Sequence, residues 1–398
     1  MLAALIALGR LIHSVATRGP SGLFNDFYDY WAAASLLNHG QDPYDIGALH
    51  AIERAAGLQV ETGTGYSYPL FFAHLLRPLA LLSANSAAYV FMVLSLVALV
   101  FAVALLIGSI PRLGWRLALA GGAAAGLFPP VIGSLYFGQA NLIVLMLIAI
   151  AFRELASGAA LGVASAIKLY PLSTFLALVV RRRWRELAAG LGLFSLLMLF
   201  QLGAHGGAFA GRAGSFFAPD TYWSNESING WLSRLAIAST WTKPPYPGFA
   251  VQPVVLIVVA LLALATVLVL LRASDRSWHG ALALSVWLGV VGAPKNSLWN
   301  FTPLLLCVVF AWTQLDGRWW ILAAGVTGWL LIELQAQLDS ARQTVYQATP
   351  ALAWLSSVGL YGAILLGGLT AYVMLRPGSG DRPGDCRGER DSTDWPDR

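Results

Sequence analysis

Asp26-Phe-Tyr-Asp29-Tyr30-Trp-Ala-Ala-Ala-Ser-Leu-Leu-Asn-His-Gly40-Gln-Asp42-Pro43-Tyr44-Asp45 packs four carboxylates and a row of aromatics directly behind the first hydrophobic run of the chain. Only 11% of the residues are charged and 57% are hydrophobic, so this cluster stands apart from its background. Carboxylates beside a membrane span cost free energy unless they sit at the water boundary or serve a substrate. Asp26 and Asp29 are three residues apart and Asp26 and Tyr30 four apart, which puts all three on one face of a helix over 26–39, ended by Gly40. Phe27, Trp31 and Ala34 form the adjoining apolar stripe. The helix reads as interfacial, with its carboxylates presented at the N-terminal end. Asp26 has two open readings, a helix cap and a functional carboxylate; other polar residues at membrane depth favour the second.

Outward from this stretch the chain is an all-α polytopic membrane protein. Its mean hydropathy is +0.66, and continuous apolar runs at 86–109, 184–204, 250–271 and 350–375 are long enough to cross hydrocarbon as helices. A barrel would show short alternating strands instead. Apolar segments near 2–17, 68–82, 117–134, 140–153, 158–180, 278–293, 300–314 and 319–335 bring the expectation to about 10–12 transmembrane helices. No small-x-small cleavage site precedes Asp26, so the first segment reads as a short span and not a signal peptide. Residues 1–375 form the membrane domain, and 376–398, rich in Gly, Pro, Asp and Arg, form a disordered cytoplasmic tail.

The net charge of +5 is not a nucleic-acid footprint, because the arginines concentrate in short loops: 181–185, Arg272 with Arg276, and Arg318. Arginine-rich loops stay in the cytoplasm, which leaves the two long polar intervals, 18–67 and 205–249, together on the outer face with 294–299 and 336–349. A plain count of twelve crossings strands Arg112 and Arg116 outside. Treating 68–82 and part of 158–180 as half-depth hairpins removes that conflict, and Pro69, Pro78 and Pro171 make broken helices reasonable there. Cys307 and Cys386 have neither disulfide placement nor zinc spacing, and the six histidines show no ligand pair, so no metal or other cofactor is expected.

Several further residues carry possible chemistry. Tyr66-Ser-Tyr68-Pro69 closes the first outer interval, and proline at a helix start is also a plain structural device. Gly138-Gln139-Ala-Asn141 opens a span; its amides serve equally to bind a sugar or phosphate and to join helices in lipid. Lys168 lies too deep for easy snorkelling, where a charge costs about 2.5–3.5 kcal/mol, and Pro171 loosens the helix beyond it. It suits a lipid phosphate, with an ion pair to Glu333 as the rival reading. The spacing Gly158-xxx-Gly162 reads as helix packing. Asn225 to Gly230, with Asn225 and Asn229 as its amides, lines a sugar pocket or forms a solvated turn and cap before an amphipathic stretch at 232–237. Lys295, beside Pro294 on the same outer face, suits an anion or snorkels to headgroups.

In order and spacing, these pieces resemble glycosyltransferase family 87, bacterial polyprenyl-phosphate-dependent membrane enzymes of the GT-C type that include mannosyltransferases. The likeness covers most of residues 20–315. It rests on Asp26-xxx-Tyr30 with Gly40-xx-Pro-Tyr44-Asp, Tyr66-x-Tyr68-Pro69, Gly138-Gln-x-Asn141, Ala166-Ile-Lys168-xx-Pro171, and Asn225-x-Ser227-x-Asn229-Gly230. The resemblance implies a GT-C type bundle with an interfacial helix in its first outer loop, in the bacterial inner (plasma) membrane, with the active site on the periplasmic side. It implies transfer of a sugar, mannose or another hexose, from a polyprenyl phosphate donor to a hydroxyl of a lipid or glycan acceptor. Asp26 matches the family's general base. Asp29, Tyr30, Tyr68, Gln139, Asn141, Lys168, Asn225, Asn229 and Lys295 are then the substrate-binding candidates, with Lys168 and Lys295 supplying charge and Gln139 and Asn141 hydrogen bonds. The sequence departs from the pattern at Ser297-Leu-Trp299-Asn300-Phe301, where many members carry histidine, since Asn300 is neither a proton carrier nor a cation. A pentose (arabinose-like) transferase and a lipid or sugar transporter or flippase remain alternatives. The absence of two repeated halves argues against a transporter, and the acid- and amide-rich outer intervals argue against a polysaccharide polymerase or ligase.

Overall fold

The computed structural model describes residues 1–18, 22–60, 65–110, 113–202, 206–215, 217–273, 277–315, 318–339 and 349–376. Arg112, Arg276 and the tail from 377 lie outside the described residues. Among these the chain is helical throughout. In order come α1 (Leu2–Arg18), α2 (Asn25–Asn38), α3 (Ile46–Ala55), α4 (Leu70–Leu76), α5 (Ala84–Ile107), α6 (Trp115–Leu127), α7 (Pro129–Tyr136), α8 (Asn141–Phe152) and α9 (Ser157–Ile167). They are followed by α10 (Phe175–Val180), α11 (Trp184–Met198), α12 (Gly206–Ser215), α13 (Ile228–Ala236), α14 (Val251–Arg272), α15 (Trp278–Gly292), α16 (Leu305–Thr313), α17 (Trp319–Leu338) and α18 (Val358–Leu375).

Length and composition qualify α5, α14, α17 and the run 350–375 as continuous membrane spans, and α6 with α7, bent by 51° at Phe128–Pro129, as a broken one. Leu256, Ile257, Leu261 and Leu264 of α14 point outward and exposed, as do Val93, Val97 and Phe101 of α5. Such apolar faces belong against lipid. The chain is a multi-pass membrane protein. The remaining segments read as uninterrupted spans from the sequence are shorter helices or helices broken by 3-10 turns, as at 170–174 and 298–304.

Contacts between loops sort the molecule into two ends. At one, Arg153 donates to Gly108 O (2.7 Å), Arg183 pairs with Glu154 (3.0 Å) and lies over the Trp278 ring, and Arg181 reaches Leu270 O. At the other gather α2, the turn 136–139, Leu82, Gln201 and the interval 219–249. The segment 70–82 starts and finishes at this second end, where Tyr44 donates to Tyr68 O and Trp31 to Leu82 O. Residues 157–183 leave and rejoin the arginine end, from the Ser157 bond to Ala151 O through to Arg183–Glu154. Both segments turn back to the end they leave, so the plain twelve-crossing count is corrected. Gly108 and its neighbours, which flank Arg112, accordingly sit with the other arginine loops.

The second hairpin is pinned by small residues. A side chain at Gly158 or Gly162 would strike the α11 backbone at Glu186 and Gly190, so α9 and α11 run in close parallel contact. With a strand-like φ of −135° at Lys168, α9 stops there, and Pro171 begins the return. Lys168 is therefore at the tip of the hairpin, facing the second end of the molecule.

Candidate active site

The site starts from the way α2 begins. Its N-cap, Phe24, has a left-handed backbone (φ 63°) and provides no side-chain cap. The unpaired amides of the first turn are met by the end of α7 instead: Phe24 N–H donates to Tyr136 O (2.8 Å), and Asp26 and Phe27 N–H donate to Phe137 O (3.1 and 3.2 Å). Gly138 allows this junction, because its φ of +68° needs glycine and a side chain there would run into Phe27. Asp26 is thus inside the first turn and not the cap. The capping reading gives way to a carboxylate directed elsewhere.

That carboxylate accepts a hydrogen bond from Gln139 Nε2. The Gln139 Oε1 atom in turn receives Tyr68 Oη (2.7 Å), Tyr30 Oη (3.0 Å) and Lys168 Nζ (2.7 Å). The Lys168 ammonium and the Asp26 carboxylate fix the amide, since a flip would set its NH2 against the first and its oxygen against the second. Lys168 completes its three bonds at Asn141 Oδ1 and Asn300 Oδ1, both 2.7 Å, and lies 5.2 Å from the centre of the Tyr68 ring. Asn141 is held by Ser134 Oγ (3.1 Å) and Trp299 O (3.0 Å). Burial, and then the charge of Asp26, pushes the Tyr68 phenol up, which keeps it a donor.

Asp26, Tyr30, Tyr68, Gln139, Asn141 and Lys168 are therefore one connected cluster, drawn from four separate parts of the chain. Glu333 pairs with Arg10 (3.5 Å), so the ion pair weighed for Lys168 is replaced by three neutral amide oxygens. Asn300, singled out in the sequence only as a departure from the family pattern, joins the cluster as the third of these. Asp29 lines the same cavity and shares a hydrogen bond with Glu53 of α3. Sequence reasoning missed Glu53, although its place one turn after the buried Leu49 set it on the inward face of α3.

The cavity is about 2140 Å³, and Asp26, Asp29, Tyr30, Tyr68, Gln139, Lys168 and Asn300 line it. Asp220, Trp223, Lys295 and Trp299 line it too, and Val259, Ala263, Leu288 and Gly292 add apolar surface. Small-ligand pockets run about 300–1,000 Å³, so this cavity exceeds what one small ligand fills. Lys295 is half-exposed and bound to Asp220 (3.3 Å), which ties 294–299 to the second outer interval.

Asn225 and Asn229 do not line the cavity. Both are buried, and they stitch two loops together: Asn225 Oδ1 accepts from Ser227 Oγ (2.7 Å) and Asn296 N (3.1 Å), while Asn229 Nδ2 donates to Ala218 O (2.8 Å) and Pro294 O (3.1 Å). The turn does cap α13, where Ser227 Oγ accepts from Gly230 N–H (3.1 Å), but it is buried and not solvated, and neither asparagine lines the cavity. Behind them Arg234, fully buried, bonds Ser356 Oγ (2.9 Å), Tyr222 O (2.9 Å), Asn225 O (2.8 Å) and Ser357 Oγ (2.6 Å), with Glu226 at 3.4 Å. Burial pushes the Glu226 carboxyl up, against the pull of Arg234. No group of three His, Cys, Asp or Glu side chains able to hold a metal ion occurs among the described residues.

The family model of glycosyltransferase family 87 matches residues 66–294, more than half of the chain. Tyr68, Gln139, Asn141 and Lys168 fall inside that span, and Asp26 and Asn300 outside it. No curated protein matches the chain.

Proposed function

The chain belongs to glycosyltransferase family 87, and from that premise we propose that it moves a hexose, mannose being the first candidate, from a polyprenyl phosphate to an acceptor hydroxyl at the outer face of the bacterial inner membrane. The observation that carries this reading is the Gln139 amide, which joins a carboxylate to a buried ammonium at the wall of a cavity larger than one small ligand fills. Asp26 takes the proton of the acceptor hydroxyl as its oxygen attacks the anomeric carbon. The bond from that carbon to the phosphate oxygen breaks, and polyprenyl phosphate leaves with the electron pair. The phosphate already carries charge, so it needs stabilisation and not a proton from an acid.

Lys168 meets that need. Its three bonds go to neutral amides, so an arriving phosphate brings the first anion to the ammonium at short range. Asn300, in place of a histidine, then serves to hold Lys168 and carries no proton. One base and no assigned carboxylate nucleophile favour inversion at the anomeric carbon. Lys295 and Asp29 stand on the cavity wall as contacts for the acceptor, whereas Asn225 and Asn229 support the loops that bear Lys295.

The test is incubation of the purified, reconstituted protein with polyprenyl phosphomannose and a panel of lipid-linked and free glycan acceptors, followed by mass spectrometry of the products. Addition of one hexose together with release of polyprenyl phosphate is expected. Transfer from a nucleotide sugar alone would overturn the donor assignment.

A further inference from the structure

The first helix is apolar except along one stripe. In α1, Arg10, His13, Ser14 and Thr17 recur at helical spacing on a single face, and all four line the cavity. The other faces have different duties. Ala3, Ala7 and Leu11 are buried, with Ala3 so close to Gly126 of α6 that a side chain there would strike its backbone, while Leu5 and Ile12 are exposed as lipid-facing residues are. Ionisable groups on such a helix are costly beside lipid and turn instead to a wet cavity or a substrate path.

Contacts tie this stripe to the helix that carries Asp26. Ile132, Gly133 and Tyr136 of α7 line the same cavity, and the carbonyls of Tyr136 and Phe137 hold the first turn of α2. The Phe137 ring lies against Trp299 (4.2 Å), and Gly133 leaves room for the Trp299 side chain, which a Cβ there would meet at 3.1 Å. From α17, Glu333 pairs with Arg10 (3.5 Å) and accepts from Gln337 Nε2 (3.0 Å), and Gln337 lines the cavity too. Charge separates this region from Lys168. Arg10 already has a carboxylate, whereas Lys168 has only amide oxygens. What α1 and α17 offer is hydroxyls, an imidazole and an amide, groups that both donate and accept, next to aromatic rings.

We propose that the part of the cavity lined by α1, α7 and α17 binds the acceptor as a neutral sugar or polyol unit. Its hydroxyls exchange hydrogen bonds with His13, Ser14, Thr17 and Gln337, and its C–H face packs on the aromatic surface of Tyr136 and Trp299. The proposal rests on the glycosyl-transfer reading and adds to it the class of acceptor and the place that holds it. Asp26, in a turn fastened to Tyr136 and Phe137, is then next to the hydroxyl whose proton it takes.

The test uses the full-length protein in nanodiscs. Saturation-transfer NMR, which needs no turnover, should show saturable binding of methyl α-mannoside to wild type, weakened about tenfold or more in Ser14→Leu and in His13→Leu, the loss of one hydrogen bond. Ser14→Thr and His13→Gln keep the polar groups and should stay within about threefold of wild type. In turnover, the leucine variants should raise the acceptor KM about tenfold, for the free sugar and for the same sugar on a lipid anchor, with donor KM within about twofold. In a Lys168→Met background, inorganic phosphate should not displace the methyl mannoside; with Glu333→Gln added, Arg10 loses its acid and phosphate should displace it. Leucine variants that bind the sugar normally, an effect confined to the lipid-anchored acceptor or to donor KM, or phosphate displacement while Glu333 is present would each overturn the proposal. If no polyprenyl phosphate sugar is turned over, the transfer reading fails by itself, while the sugar-binding measurements still decide the role given to α1.

Discussion

Lys168 and Arg234 are both cations buried in a membrane protein, and both have their hydrogen bonds met by the protein, yet they are built for different ends. Arg234 is sealed between α13 and residues 356–357, with backbone carbonyls, hydroxyls and the Glu226 carboxyl around it. It does not itself line the cavity. Lys168 sits at the tip of a hairpin on the cavity wall, and its acceptors are three amide oxygens without charge. A buried cation with a carboxyl beside it and no path to solvent holds loops together. A buried cation left among neutral dipoles at the edge of a cavity is ready for an anion from outside. The counting of satisfied hydrogen bonds does not separate the two; charge balance and access do.

The contrast is broken most severely at the carboxylate linked to Lys168. Asp26→Asn should lower the transfer rate by about 10²–10⁴-fold, the usual worth of a general base, while the purified variant still unfolds at the wild-type temperature and still binds donor. A loss of only a few fold in single-turnover assays would reduce Asp26 to an organiser of Gln139. Next comes the sealed cation. Arg234→Met leaves the Glu226 carboxyl and several carbonyls without their partner, and breaking a buried pair this way costs about 3–5 kcal/mol. Thermal unfolding in detergent should fall accordingly, and activity should fall only with the folded fraction.

Lys168→Met sharpens the comparison from the other side. The change removes a desolvated charge along with its bonds, so stability should drop by only about 1–3 kcal/mol, less than for Arg234→Met. Donor binding should weaken by about tenfold or more, since hydrogen bonds to charged groups contribute about 1.5–3 kcal/mol, and acceptor KM should hold. If both variants instead lost stability equally and bound donor equally, the distinction between a sealed and a poised cation would be gone. The smallest effect expected is from chelation. The cavity acids, Asp26 and Asp29 of α2 with Asp220 and Asp339, come from separate parts of the chain and form no cage of oxygens such as magnesium needs among the described residues, so transfer should persist in EDTA; loss restored by magnesium or manganese would reassign Asp26 and Asp29 as ligands.

Much of this was legible in the sequence where local rules apply. The spacing of Asp26, Asp29 and Tyr30 placed them on one helical face, Gly40 ended that helix with a φ of +69°, and a lysine followed by Pro171 marked the broken hairpin. What the sequence could not deliver was partnership across long separations. Lys168 and Glu333 look like natural mates in a chain poor in buried charge, but Arg10 reaches Glu333 first and Asn300, 132 residues from Lys168, takes the place beside it. Asn225 and Asn229 stand in a polar outer interval and so invite a role in sugar binding, yet loop closure against Pro294 and Asn296 uses up their amides. Glu53 gave only a faint signal, since an acid on the inward face of a short helix becomes meaningful once Asp29 is known to lie opposite.

The splice between α7 and α2 has a consequence for tinkering with the molecule. Because carbonyls of residues 136 and 137 hold the first turn of α2, the reference point for Asp26 is α7 and not the connection leading out of α1. The helix that carries Asp26 behaves as a cartridge clipped to its socket, and a side chain in place of Gly138 would unseat it while touching no substrate.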